Sequence, residues 1–142
     1  MLREIDQVKQ DRAGTKRRWF QDDYFDLWVW EKPDESVAAF QLCYDRQGTE
    51  RLLSWREQHG FDHLAVDFGN KRETGHAQTA ILKADGTFPM REVWRRLLLA
   101  SRPIPRDIRY FLFEKLFEFG DLRGGKKPPM KKRSRIKKKK KR

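Results

Sequence analysis

Between residues 15 and 56 apolar and polar positions alternate with a period of two, and two short polar stretches break the alternation. Over residues 23–31, Phe25, Leu27 and Val29 alternate with Tyr24, Asp26, Trp28 and Trp30, so both faces of one strand carry bulk. Lys32-Pro33-Asp34-Glu35 reads as a turn, Pro33 supplying the φ that a type I turn needs. Residues 37–44 form the returning strand, Arg46-Gln47-Gly48-Thr49 a second turn, and residues 50–56 a third strand. Connections this short make neighbouring strands antiparallel. A short strand over residues 15–20, ending in Trp19-Phe20, precedes the three. After Glu57 the periodicity weakens, with further strands predicted at residues 64–66 and 79–83 around a polar loop. Residues 1–14 place Leu2, Ile5 and Val8 among charges, a pattern shared by a weak helix and an edge strand.

From residue 89 the period changes to that of a helix. Met90, Val93, Trp94, Leu97 and Leu98 form one stripe of a helix over 89–101, with Pro89 in the first turn and Thr87 as N-cap. Pro103 stops this helix and Pro105 opens a second over 105–119. Its first stripe is Ile108, Phe111, Leu112, Leu116 and Phe119, and Gly120 reads as its C-cap. Tyr110, Phe113 and Phe117 line a second stripe. Either this helix packs between the sheet and the first helix, or those three aromatics form a homodimer contact.

The pattern predicts an α+β fold: an antiparallel β-meander covered on one face by two C-terminal helices. Residues 1–14 are the lead-in, 15–122 the single α+β domain, and 123–142 a disordered Lys/Arg-rich tail. Alternation does not choose which sheet face the helices cover. With Phe25, Leu27 and Val29 inward, Tyr24, Trp28 and Trp30 wall an aromatic groove on the free face; the opposite assignment buries the tryptophans.

Charge sharpens this division. The 142 residues carry a formal net charge of +12, and residues 126–142 contain twelve Lys or Arg and no acid. Taking those twelve from the total of 33 leaves 21 basic residues beside 21 acidic ones, so the body is neutral. Lys126, Lys127, Lys131, Lys132, Arg133, Arg135, Lys137, Lys138, Lys139, Lys140, Lys141 and Arg142 offer nothing apolar enough to offset ordering entropy. A run of like charge binds polyanions through counterion release. Without an aromatic residue to stack on bases, the tail predicts sequence-independent contact with RNA, DNA or the ribosome. No apolar run spans a bilayer, and no lipid anchor or apolar partner accompanies the basic run, which argues against a membrane. The polar N-terminus is unlike a signal peptide, and a single cysteine excludes an internal disulfide. A cytoplasmic protein is expected, with Cys43 a small buried hydrophobe.

Candidate chemistry is sparse. Arg17, Arg18 and Trp19 set basic groups beside an aromatic, the composition of a nucleic-acid surface and equally of a strand entering a core. Asp26 shares a strand face with Trp28 and Trp30, where a carboxylate among indoles is a candidate acid or base; pairing with Arg17, Arg18 or Arg51 is the plainer expectation. Asp45 and His59 complete the polar set without a recognisable spacing. His63, Asp67 and His76 are a candidate metal set, yet residues four apart on a strand lie about 13 Å apart. No nucleophile elbow, phosphate loop or dinucleotide fingerprint occurs. The expectation is a non-enzymatic binding protein without metal or cofactor. The alternatives are a small molecule or peptide in the aromatic groove, and a metal-dependent hydrolase or nuclease.

The string Arg17-Arg18-Trp19-Phe20, Asp23, Asp26-Leu27, Val29-Trp30, then Phe40-Gln41-Leu42-Cys43-Tyr44-Asp45 and Trp55 resembles a family of small, uncharacterised bacterial proteins. The likeness continues through Gly60-Phe61, His63, Val66-Asp67 and Thr79-Ala80-Ile81-Leu82. It implies a bacterial cytoplasmic protein and carries no activity or site residues. Members of that family usually lack so long a lysine run, which makes the tail an addition to the shared domain.

Overall fold

A computed structural model describes residues 1–67, 81–84 and 88–122. Among these, seven strands form one sheet in sequence order: β1 (Arg3–Glu4), β2 (Lys16–Gln21), β3 (Phe25–Glu31), β4 (Val37–Tyr44), β5 (Arg51–Arg56), β6 (Gly60–Asp67) and β7 (Ile81–Ala84). Every neighbouring pair is antiparallel, so the sheet is the expected meander. Helices α1 (Met90–Ala100) and α2 (Arg106–Leu122) follow, giving the α+β arrangement. The 123–142 tail lies outside the described residues.

Turn chemistry sets the register. Between β3 and β4, Glu35 takes a left-handed φ of 68° while the Asp34 carboxylate accepts hydrogen bonds from the Ser36 N–H and hydroxyl. Asp45, at φ 56°, opens the next turn, where its carbonyl accepts from Gly48 and its carboxylate from Thr49. A bulge at Trp30/Glu31 shifts the β3–β4 register by one residue at its far end.

The helices cover the face carrying Phe25, Leu27 and Val29. Register explains why. Val29 pairs with Phe40 and Phe40 with Trp55; Leu27 pairs with Leu42 and Leu42 with Leu53. These rows are apolar from strand to strand, and they join Val93, Leu97, Ile108, Leu112 and Leu116 in one buried core. Phe111 sets its ring edge on Phe40 and Trp55, with ring centroids 6.4 and 5.2 Å away.

The lead-in belongs to this core. Leu2 is fully buried, its N–H donates to the Ala100 carbonyl at 2.9 Å, and β1 pairs with β2. The helices also differ in detail from expectation. Pro89 occupies the N-cap position of α1 rather than its first turn, and Thr87 lies outside the described residues. Leu98, placed inward by spacing, is 42% exposed. Gly120 does not end α2, which runs on to Leu122. It faces α1 closely, since a Cβ there would lie 3.2 Å from Met90 Cε. Phe113 packs on Trp94 of α1 at 4.8 Å, so the second aromatic stripe partly serves helix–helix packing, while Tyr110 is 55% exposed.

Candidate functional site

The uncovered sheet face is organised in rows set by cross-strand pairing. The central row runs Trp19, Trp28, Gln41, Ser54, Asp62; one flanking row runs Arg17, Trp30, Ala39, Arg56, Gly60. The other runs Gln21, Asp26, Cys43, Leu52, Leu64. Trp19 and Trp28 stack with centroids 4.6 Å apart and planes 8° from parallel, and the Arg17 guanidinium lies 4.6 Å from the Trp28 ring centre. A hollow of about 170 Å³ lies between Arg12, Trp30, Gln41, Ser54, Arg56 and Asp62. That is smaller than a site for a drug-sized ligand, about 300 Å³ or more.

The residues proposed for this surface do not all reach it. Trp28 and Trp19 are half-buried on it. Trp30 is buried, because the lead-in folds over it: Asp11 accepts its indole N–H at 3.0 Å and Arg12 lies 5.7 Å over its ring. That hydrogen bond, with Arg17 and Arg12 nearby, holds the Asp11 carboxyl below the usual range. Tyr24 lies outside the groove. It packs at the helix end, with its ring edge on Phe25 and the Arg96 guanidinium 4.2 Å from its ring centre. Arg18 points to the helix-covered side, donating to Glu4 at 2.7 Å and Glu31 at 3.0 Å. Arg17 pairs with Asp11 at 3.4 Å and donates to the Lys9 carbonyl.

Asp26 accepts the indole N–H of Trp19, while Arg17 and Arg18 are engaged with other acids. Tethering Asp26 to the stacked pair makes it a brace for the indoles. Its neighbour Cys43 is half-buried, and its thiol is pushed up to about 12, first by burial and then by Asp26 and Glu50. His63 lies on the covered face, only 4% exposed, its Nε2 2.7 Å from the Tyr44 hydroxyl and its ring between Phe88 and Phe119. His59 meets Asp62 at 2.9 Å on the surface. His76 and the Asp67 side chain lie outside the described residues. Among the described residues no three of His, Cys, Asp and Glu converge as a metal would require.

Sequence reading missed Gln41, Ser54 and Arg56 as companions of Trp28. The signal was the spacing of the two turns, which sets the register that aligns them. It also missed the outward face of α1, where Leu98 and Leu99 are exposed. The tail residues from Lys126 to Arg142 are outside the described residues. No helix among the described residues is long and apolar enough to cross a membrane. No family model, curated protein or solved structure matches the chain, and the likeness to the small bacterial family rests on the quoted residues alone.

Proposed function

We propose that this protein is a non-enzymatic binding protein that contacts RNA or DNA through its basic C-terminal residues without reading sequence. The observation that carries the reading is charge segregation: all of the net +12 resides in residues 126–142, beside a neutral body. Such a segment neutralises phosphates and releases their counterions, and it lacks the aromatics that stack on bases. The test is a salt series of nucleic-acid binding, comparing the full chain with one ending at Gly124. The reading expects binding by the full chain only, with a steep salt slope and no sequence preference. Binding by neither chain overturns it.

A second reading is favoured by the Trp19–Trp28 stack beside exposed Gln41: a small planar molecule or a peptide bound on the open sheet face. Its signature is quenching of tryptophan fluorescence by a ligand that binds equally with and without the tail. A metal-dependent hydrolase finds less support, since His63 and Asp26 are engaged with Tyr44 and Trp19.

A further inference from the structure

The large apolar side chains left exposed among the described residues are Met1 (71%), Leu98 (42%), Leu99 (58%) and Tyr110 (55%), on α1, the first turns of α2 and the N-terminus packed beside them. Met1 and Leu99 line one hollow with Arg95, Arg96 and Asp22, and the Met1 ammonium lies 3.9 Å from the Asp22 carboxylate. The Leu98 carbonyl accepts from Arg109, the residue before Tyr110, and Arg106 donates to the Tyr110 hydroxyl at 3.3 Å. Single exposed apolar residues need no explanation, but a group does.

The two leucines sit in a basic setting, while Met1 lies beside Asp22 and Tyr110 one turn from Asp107 and Glu114. Residues 90–110 contain six arginines against two acids, Glu92 and Asp107. At 100° per residue, Arg91, Arg95, Leu98 and Leu99 share one outward strip of α1, and Arg102 follows just past its end. All five are exposed. Glu92 is held by Arg95 at 2.9 Å and Arg96 at 2.5 Å, which leaves the strip without a free carboxylate of its own.

We propose that this arginine-rimmed apolar face is a peripheral docking surface for an anionic phospholipid bilayer. Phosphate headgroups complement the arginines, and leucine with tyrosine are the side chains that enter the headgroup and acyl boundary. Nucleic acid would use the arginines and gain nothing from two exposed leucines. Stable attachment to a bilayer takes two signals, shallow apolar insertion and basic charge. This face supplies the first, and residues 126–142 carry the second. In the sequence the tail has no apolar companion, which argues against a membrane; the packed helices supply one, because they turn Leu98, inward by its spacing, out to solvent. The inference does not depend on nucleic-acid binding.

The test is co-sedimentation of the full chain with vesicles of phosphatidylcholine alone and of equal parts phosphatidylcholine and phosphatidylglycerol. The full chain is expected to bind the anionic vesicles only. Leu98→Ser with Leu99→Ser should weaken that binding at least about tenfold. Because both positions are exposed, far-UV circular dichroism and nucleic-acid affinity should stay unchanged, and urea unfolding should stay cooperative with a slightly lower midpoint, since serine is the poorer helix former. No binding to anionic vesicles overturns the proposal. So does equal vesicle binding by the variant, which would leave the tail alone as the attachment. A parallel loss of nucleic-acid affinity in the variant would assign the face to that contact instead. A dimer in light scattering that the variant abolishes, with vesicles unbound, would assign it to a second copy of the chain.

Discussion

Cys43 and Arg18 show how the sheet decides the chemistry of single residues. On the open face, Cys43 lies between Asp26 and Leu52 in its row, and burial with two nearby carboxylates pushes its thiol up to about 12. The thiolate is the reactive form, so a colorimetric disulfide reagent at about pH 8 should label the native chain at least about a hundredfold more slowly than the urea-unfolded chain. Equal rates would show that the strand does not protect the sulfur. The linkage has a definite sign. The folded chain keeps a proton that the unfolded chain releases, so this contribution is complete below an ordinary thiol pKa, about 8.5. It is lost as pH rises from there through about 12. On the covered side, Arg18 joins Glu4 and Glu31, and its hydrogen bond lowers the Glu4 carboxyl below its ordinary range. That contribution is present above the ordinary carboxylate range and fades as pH falls through the depressed value. Arg18→Met leaves Glu31, with a side chain only 12% exposed, without this partner. It should cost about 1–3 kcal/mol in urea unfolding, less than a fully buried pair because Glu4 is partly solvated. Adding Glu31→Gln should recover part of the loss, and a cycle with no coupling would remove the ion pair from the account.

At the scale of elements, Gly120 and Met90 form one tight contact between α2 and α1. A Cβ at Gly120 meets the Met90 methyl at 3.2 Å, a group that can move, but Met90 is itself only 5% exposed. Gly120→Val should destabilise by about 1–3 kcal/mol despite the better helix propensity of valine. Pairing it with Met90→Ala should cost less than the sum of the two single changes, because the second makes room for the first. The same glycine shows where sequence reading stops. A glycine after an apolar stripe is a sound C-cap signal, and nothing local distinguishes it from a glycine that lets two helices meet. The strands were far more legible: β4 has the limits expected from alternation, and β2, β3 and β5 differ by one or two residues. β6 runs from Gly60 to Asp67, longer than the residues 64–66 expected, because Phe61 and His63 face a core whose helices lie far along the chain. The choice of sheet face was hidden for a related reason. Bulk on both sides of β3 is ambiguous within β3, and only the neighbouring rows decide it, Phe40 with Trp55 on one side and Gln41 with Ser54 on the other. The tethers of Trp19 to Asp26 and Trp30 to Asp11 depend on the same register and on a lead-in that has no clear periodicity.

At the scale of the whole molecule, charge is distributed unevenly even within the neutral body. The hollow of about 520 Å³ between the β3–β4 turn and α2 is rimmed by Asp34, Glu35, Glu57 and Asp107, with Lys32 held by Glu57 at 2.7 Å. That end repels phosphate, whereas the arginine strip of α1 attracts it. A chain ending at Gly124 should therefore have little net attraction for nucleic acid, while the full chain, with a pI near 10.1, should bind strongly at low salt. The twelve cations beyond residue 125 set a ceiling on the response. If each neutralised one phosphate, the slope of log affinity against log salt would be about −8 to −11, and partial engagement makes it shallower. A slope within that limit, somewhat shallower on single strand than on duplex because fewer counterions are released per phosphate, and nearly absent from the truncated chain, is the expected result. A truncated chain that keeps a slope beyond about −3 would mean that folded-body arginines neutralise several phosphates themselves. Arg95→Gln with Arg102→Gln then separates the two surfaces of the body. A loss with that pair places the phosphates on the helix layer. A loss only with Arg17→Gln and Trp28→Ala places them on the open sheet.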